Sequence, residues 1–418
     1  MNSNFTYALR TIYLWILIGV VVTMTFNIEN VNVNGIFIGF LSVVTIIHAL
    51  ISKQKPTLTS TPVVILLMAF YILHAAGILY SQNQKEAWFV LEKKLSLILL
   101  PVLFMFGPRL NGKETKAVLL SFVASCILVC ILCLAIAASK FVQTKDITFF
   151  YYQSLSINIG MHAAYLAMYL CFAIAILLFL SFNEKATLRS NQKALYFISI
   201  IAMSLVIFML SARTQIVILM IEIAIYFIFV FNLNKSPLKS ILLSSLIICA
   251  LLGTALLFPG TRERFKEAIN YNNEYALSKK WGEKQMRYLI WKSALEASGT
   301  NLLIGTGTGD VQDDLQKIYI EKEYISLTYF ENTKFNAHNQ YFETLIGLGI
   351  IGLLVFLSVI SVAIRNASKG KNAIYLISVL IFAASCITES MLERQNGIVF
   401  FSFFSVFLLV NKYSKEKN

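Results

Sequence analysis

The chain has 418 residues, of which 57% are hydrophobic and only 14% are charged, and its formal net charge is +13. Its mean hydropathy is +0.71. One core could not hide that much apolar surface from water, so the composition excludes a soluble globular domain and predicts an integral membrane protein.

Apolar stretches long enough to cross the hydrocarbon core of a bilayer, about 30 Å, recur along the whole chain. They end at polar clusters and lack the alternation of a β-barrel, which predicts an all-α integral membrane protein of about twelve transmembrane helices. The predicted spans are 11–27, 35–51, 61–80, 91–107, 116–139, 160–182, 195–211, 213–232, 241–258, 341–364, 372–391 and 397–411. The first stretch lacks a small-residue cleavage site, which favours an uncleaved helix over a signal peptide.

The basic residues favour one orientation. With the N-terminus in the cytoplasm, the cytoplasmic segments hold 17 Lys and Arg, whereas the opposite short loops hold 7. Since short cytoplasmic loops are enriched in these residues, both termini are predicted to be cytoplasmic. The longest hydrophilic segment, 259–340, then lies on the outer side, between helices 1 to 9 (1–258) and helices 10 to 12 (341–418). The positive charge follows from this topology, and nucleic acid is not an expected partner.

The outer segment is predicted to be ordered. Residues 262–298 have helical spacing with aromatic residues among charged ones, as in helices that lie at an interface or cap a cavity. The run NLLIGTGTGD, 301–310, lacks the Lys-Ser/Thr of a P-loop and the spacing of a dinucleotide-binding motif, so we interpret it as a structural glycine-rich turn. The six cysteines lie in apolar stretches without metal-ligand spacing and are predicted to be packing residues.

His338 is the strongest candidate for chemistry. It precedes the tenth span in NAHNQYFETLIGLGIIGLL, and positions 338, 342, 345, 349 and 352 share one helical stripe whose glycines would let another helix approach. A neutral imidazole can take a proton from a hydroxyl group at neutral pH. The alternative is an interfacial histidine that merely binds water.

Cationic side chains gather on the same predicted side. Arg213 lies between two spans with hardly any loop, where a guanidinium favours an anion or a salt bridge with Glu389 or Glu393. Arg287 shares a helical face with Trp291, which suggests a guanidinium held over an aromatic surface.

Four further residues are weaker candidates, and one acid is set apart. Lys93 and Lys94 begin the fourth span, where they could contact phosphate or extend to lipid headgroups. His162 and Arg394 lie on the same predicted side as His338. Glu222 is an intramembrane carboxylate about 13 Å along its helix from Arg213, so we do not place it in this site.

These motifs, in this order, resemble the bacterial O-antigen ligase and O-antigen polymerase superfamily. The similar pieces are SARTQ, MRYLIWKSALEASGTNLLIGTGTGD and NAHNQYFETLIGLGIIGLL, with LEKKLSLILLP and ESMLERQNG as weaker ones. The resemblance covers roughly residues 200–360, and the twelve-span plan with one large outer loop extends it over the chain. Thr308 stands where the family often has proline.

The resemblance implies a GT-C-like membrane glycosyltransferase that needs no metal or other cofactor. The donor would be a glycan on undecaprenyl pyrophosphate at the periplasmic face of the inner membrane. Arg213 and Arg287 would hold the pyrophosphate, and His338 would orient or deprotonate the acceptor hydroxyl that attacks the anomeric carbon with inversion. Substrate contacts are also expected from Asn339, His162, Arg394, Lys93 and Lys94.

The acceptor stays open among relatives. A ligase transfers to a lipid A core sugar, a polymerase to another lipid-linked repeat, and a third type to protein hydroxyls. The single long outer segment favours the ligase, whereas residues 140–160 could form a second outer loop and favour the polymerase. A transporter or lipid flippase is the alternative from another class, although no half-to-half repeat supports it.

Overall fold

The computed structural model describes residues 3–26, 32–52, 61–230, 236–263, 283–328 and 334–411, and within these ranges the chain is helical without β-strands. The helices are α1 (Ser3–Thr23), α2 (Val33–Ser52), α3 (Thr61–Ile78), α4 (Gln84–Lys93), α5 (Ser96–Phe106), α6 (Gly112–Thr144), α7 (Tyr152–Ser156), α8 (Ala163–Asn183), α9 (Ser190–Met209), α10 (Arg213–Val230), α11 (Pro237–Leu256), α12 (Glu283–Ser298), α13 (Val311–Glu321), α14 (Ile325–Thr328), α15 (Gln340–Lys369), α16 (Ala373–Ser385) and α17 (Gln395–Val410). A short 3₁₀ helix, Ile147–Phe150, precedes α7.

The protein is a multi-pass membrane protein. Among the described residues, six helices are long and apolar enough to cross a bilayer, namely α2, α6, α8, α9, α11 and α15. Shorter apolar helices lie in α1, α3, α16 and α17. The count of twelve crossings, the orientation and the domain boundaries stay predictions.

The helices pack around α8, whose apolar window is 89% buried. Phe172 of α8 contacts Phe400 and Phe404 of α17 through its ring. The outer segment has a separate small core, in which Ile290 of α12 packs with Leu315 of α13. Five of the six cysteines are buried packing residues, as predicted, whereas Cys249 is exposed.

The predicted fourth span is interrupted. Residues 91–107 were expected to form one helix, but α4 ends at Lys93 and α5 begins at Ser96. The physical reason is Lys94, which is fully buried because its ammonium group donates to the Leu392 carbonyl and the Glu393 carboxylate. The break turns the lysine towards those partners.

Helix α15 is also broken, at Gly349, where φ is 63° and ψ is −164°. The carbonyls of Leu302 and Leu303 accept the N–H groups of Ile350 and Ile351 at 2.9 and 3.2 Å. A Cβ on Gly349 would lie 2.3 Å from the Leu303 oxygen. The expectation that this glycine stripe receives another helix was therefore wrong, because a loop fills the break.

That loop is the glycine-rich run, and its role in the fold is structural, as predicted. Gly305 has φ of +74°, and a Cβ there would lie 2.4 Å from the Gly347 backbone. The Asp310 carboxylate accepts the N–H groups of Gln82 and Asn83, both at 2.7 Å. Thr308, where the family often has proline, donates to the His74 carbonyl at 2.6 Å. The run therefore joins α15 to the α3–α4 turn.

The helical prediction for the outer segment is confirmed in part. Residues 283–298 form α12, which packs against α13 and α15. Residues 264–282, which belong to the same prediction, lie outside the described residues. Residues 53–60, 231–235 and 412–418, which include parts of three predicted cytoplasmic segments, also lie outside them.

Candidate functional site

His338 lies in a strained turn directly before α15. Its φ is +44°, a left-handed conformation that non-glycine residues adopt only when the surroundings enforce it. Its N–H donates to Asn336 Oδ1 at 3.1 Å, and the next residue, Asn339, caps α15 by accepting the N–H groups of Tyr341 and Phe342. Cap and turn together determine where the imidazole lies.

The turn that contains His338 is hydrogen-bonded to the connection between α16 and α17. The Gln340 N–H donates to the Cys386 carbonyl at 2.8 Å, and the Gln340 side chain accepts the Leu392 N–H at 2.6 Å. The Asn339 amide also donates to the Ile387 carbonyl at 2.9 Å. These bonds join two segments about fifty residues apart in sequence and hold them in a fixed relative position.

Glu389 lies between His338 and Arg287 and contacts both. One carboxylate oxygen is 3.2 Å from His338 Nδ1, and the other is 3.3 Å from the Arg287 guanidinium. Burial alone would raise the pKa of Glu389, but the hydrogen bond from His338 and the nearby charge of Arg287 hold that pKa below its ordinary value. In the tautomer that carries its proton on Nδ1, His338 donates a hydrogen bond to the ionised Glu389, and the lone pair on Nε2 is then able to take a proton from a substrate.

Arg213 is held at the same place by its neighbours in the SARTQ motif. The Thr214 hydroxyl contacts the Thr388 hydroxyl at 2.8 Å, and the Gln215 amide donates to the Ser385 hydroxyl at 2.9 Å. The start of α10 is therefore bound to the connection that carries Glu389.

These elements enclose a small space that we call the arginine cavity. Its wall includes Tyr152, His162, Ser211, Arg213, Gln215, Arg287, Thr388 and Glu389. Its volume is about 40 Å³. That is room for a water-sized group between these side chains.

His162 contributes a neutral ring to this wall. It precedes α8, and its Nδ1 accepts the Ala164 N–H at 3.4 Å. Burial lowers the pKa of His162 to about 4, and the positive charges of Arg394 and Arg287 act in the same direction. At neutral pH His162 is therefore a hydrogen-bonding group and not a cation.

A second space, the carboxylate cavity, is lined in part by the residues around His338. Its volume is about 250 Å³. The polar side chains in its wall include Glu86, Lys93, Gln312, Asn336, Gln340, Glu343, Glu393 and Arg394. Asn336 and Gln340 flank His338 in sequence, so the segment that carries His338 forms part of this wall.

The structure brings most of the predicted residues together, in two groups. Arg213, Arg287 and His162 line the arginine cavity, and His338 binds the acid in its wall. Lys93 and Arg394 line the carboxylate cavity.

Two predicted substrate contacts have structural roles in this arrangement. Lys94 is fully buried in bonds to the 392–393 backbone and side chain, and Asn339 is occupied with capping α15 and bonding Ile387. The interpretation of Arg287 over Trp291 was wrong, because Arg287 extends to Glu389 and Trp291 packs on Phe342, with ring centroids 6.0 Å apart.

Sequence reasoning missed the bridging position of Glu389 and the lining role of Glu343. The available signal was an acid near the end of a predicted span, since Glu389 lies in the span 372–391 and Glu343 in the span 341–364. Neither its distance from His338 nor its second partner could be inferred from that pattern.

The fold and site define a class: a multi-pass helical membrane protein with a histidine, a paired acid and two arginines where the helix ends meet. The comparison with family models agrees with this class, since the model described as O-antigen ligase matches residues 198–357. For this part of the chain, which contains Arg213, Arg287 and His338, the match confirms the resemblance to the O-antigen ligase and polymerase superfamily. No curated protein matches the chain.

Proposed function

We propose that the protein is an O-antigen ligase, a glycosyltransferase that moves a glycan from undecaprenyl pyrophosphate to a sugar hydroxyl of the lipid A core at the periplasmic face of the inner membrane. The observation that carries the proposal is Glu389 bound to both His338 and Arg287, since it connects a proton acceptor to an anion-binding wall. The O-antigen ligase match over the same residues supports it.

The donor binds through its pyrophosphate at the arginine cavity. Arg213 and Arg287 both line this space, and a guanidinium keeps its charge at any ordinary pH and can bind phosphate oxygens in pairs. Negative charge grows on the pyrophosphate as the bond to the sugar breaks, so fixed cations stabilise the transition state more than the bound donor. The reaction is proposed to need no metal ion.

The acceptor is activated by His338. Nε2 takes the proton of the acceptor hydroxyl while its oxygen attacks the anomeric carbon, and the bond from that carbon to pyrophosphate breaks with its electron pair on the leaving group. Attack opposite the leaving group inverts the anomeric centre. Glu389 stabilises the imidazolium that forms and holds the ring in the productive tautomer.

The carboxylate cavity is the proposed position of the acceptor sugar. It adjoins the His338 turn, and its wall offers acceptors from Glu86 and Glu343 and donors from Lys93 and Arg394. Hydroxyl groups both donate and accept hydrogen bonds, so a wall with both kinds of partner suits a polyhydroxyl compound.

A polymerase is the second candidate, and one observation favours it. Residues 146–162 form the 3₁₀ helix and α7, and this segment contributes Tyr152 and His162 to the arginine cavity. Two sizeable outer loops are the feature expected of polymerases, and this segment would be the second. Transfer to protein hydroxyls would use the same donor chemistry.

The test is a deletion strain complemented with wild type, His338→Ala or, as a matched control, His48→Ala. His48 lies on α2 and contacts the Phe106 carbonyl at 3.1 Å, far from this site in the fold. Lipopolysaccharide and lipid-linked glycan are separated on gels.

We expect His338→Ala, but not His48→Ala, to leave bare core on lipid A and long glycans on undecaprenyl pyrophosphate. Core that carries a single repeat would instead identify a polymerase. Unchanged glycans would exclude both and favour a transporter, with Glu222 as its first candidate.

A further inference from the structure

A large groove lies away from the site, between α8, α9, α10 and α11. Its volume is about 470 Å³. Phe197, Ile201 and Leu205 of α9 line it, opposite Ile223 of α10 and Leu251 of α11. We call it the lipid groove.

Most side chains in the wall of the groove are apolar, and two of its hydroxyl groups bond within their own helices. Ser204 donates to the Ile200 carbonyl at 2.7 Å, and Thr254 donates to the Ala250 carbonyl at 2.9 Å, each within its own helix. The wall therefore offers a hydrocarbon-like surface to whatever fills it. Helices α8, α9 and α11 are candidate membrane spans, so the surroundings are lipid and not water.

Two lysines mark one end of the groove. Lys185 follows α8 and Lys193 lies in the first turn of α9, and both are exposed. Neither makes an ion pair with an acid in the described ranges, and the neighbouring Glu184 is already bound to Lys116. This end therefore carries uncompensated positive charge.

The length of the groove matches one leaflet. Along α9 it runs from Lys193 to Phe208, which is about 22 Å at 1.5 Å per residue. A headgroup layer of about 5–7 Å and half of a 30 Å hydrocarbon core together measure roughly 20–22 Å.

We propose that this groove binds an anionic glycerophospholipid, with its phosphate at Lys185 and Lys193 and an acyl chain along α9. Charge complementarity selects an anionic headgroup, and the apolar wall selects a hydrocarbon chain. By the predicted orientation, this lipid belongs to the cytoplasmic leaflet.

The lipid is distinct from the proposed donor. The donor's pyrophosphate would bind at Arg213, beyond the other end of α9, whereas the lysines lie at the opposite end. The lipid also has a structural consequence, because α11 is little buried and packs chiefly against α10. An acyl chain in the groove would fill the gap between α9 and α11.

The experiment is native mass spectrometry of the purified full chain with phosphatidylglycerol or phosphatidylcholine of the same acyl composition. For wild type we expect phosphatidylglycerol to bind about thirtyfold more tightly, the contribution of two lysines near a membrane surface. Lys185→Gln with Lys193→Gln should remove this preference. Lys369→Gln with Lys371→Gln, exposed lysines in the α15–α16 connection, is the matched control and should keep it.

A second variant tests the groove itself. Leu205→Trp should reduce the binding of both lipids, because the larger side chain fills the groove while both lysines are unchanged. Equal binding of the two lipids by wild type would overturn the proposal. So would displacement of phosphatidylglycerol by undecaprenyl pyrophosphate, since that result assigns the groove to the donor. The readout is lipid binding, so its outcome does not depend on the glycosyltransferase activity.

Discussion

The arginine cavity and the carboxylate cavity adjoin the same turn but differ in charge. The first has Arg213 and Arg287 with Glu389 as its acid, whereas the second combines Glu86, Glu343 and Glu393 with two cations. An excess of fixed cations suits an anion, and mixed donors and acceptors suit uncharged hydroxyl groups. The difference supports the proposal that the leaving group binds at the arginine cavity and the attacking hydroxyl at the carboxylate cavity.

The proposed separation of donor and acceptor depends on the segment that carries His338. Asn336 and Gln340, on either side of His338 in sequence, line the carboxylate cavity. The His338 imidazole contacts Glu389, which lines the arginine cavity. Substitutions on the two sides should therefore have different kinetic signatures.

The largest effect among the wall residues is expected from the arginines. Arg213→Ala or Arg287→Ala should lower the transfer rate by about 10²–10³-fold, because each removes a cation that stabilises the leaving pyrophosphate. The corresponding lysine variants should recover part of the rate, since lysine keeps the charge but not the paired donors.

Transfer by purified protein, with donor concentration varied, measures this. Arg365→Ala, an exposed arginine near the other end of α15, is the control and should behave as wild type. A change confined to the acceptor KM would contradict the assignment of the arginines to the donor.

The next effect is expected from the bridging acid. Glu389→Gln should lower the transfer rate by about 10–100-fold. A neutral amide stabilises the productive tautomer of His338 less well and no longer forms an ion pair with Arg287. The rate constant at saturating donor and acceptor is the measurement. Glu296→Gln, which alters an exposed ion pair with Lys322 on the protein surface, is the matched control.

The pH dependence gives an independent check on Glu389. Its pKa lies below the ordinary value, so its bonds to His338 and Arg287 are complete above the ordinary carboxyl pKa and weaken only as the pH falls through the lowered value. We expect no loss of activity from this group between about pH 5 and 8. A loss that Glu389→Gln abolishes within that range would show that the acid titrates there.

The smallest effect is expected on the carboxylate side. Lys93→Ala or Arg394→Ala should raise the acceptor KM a few-fold and leave donor kinetics unchanged, because each removes one partly or fully exposed contact from a wall with several others. Initial rates with acceptor concentration varied test this. A larger effect on the donor than on the acceptor would reverse the proposed division.

The sequence predicted the all-helical fold, because membrane helices depend on local pattern. Apolar length determines a membrane helix, and Arg213, Arg287 and His338 stand in motifs that can be read alone. The helix breaks at Lys94 and Gly349 were not predicted, because each depends on contacts with residues far along the chain. Lys94 turns towards Glu393, and Gly349 leaves room for the backbone of residues 302–303.

The bridging acid shows the same limit within the site. Glu389 is connected to His338 across about fifty residues, through bonds such as that from the Gln340 N–H to the Cys386 carbonyl. No periodicity or motif spacing encodes such a pairing, and the family match ends at residue 357, before this acid.

The most direct test of the central claim is glycan transfer by purified wild type and His338→Ala, with donor binding measured on the same samples. We predict that the variant binds the lipid-linked donor as wild type does but transfers the glycan about 10²–10⁴-fold more slowly, the usual contribution of a general base. Transfer at the wild-type rate by a folded His338→Ala protein would contradict the role of His338 as the proton acceptor.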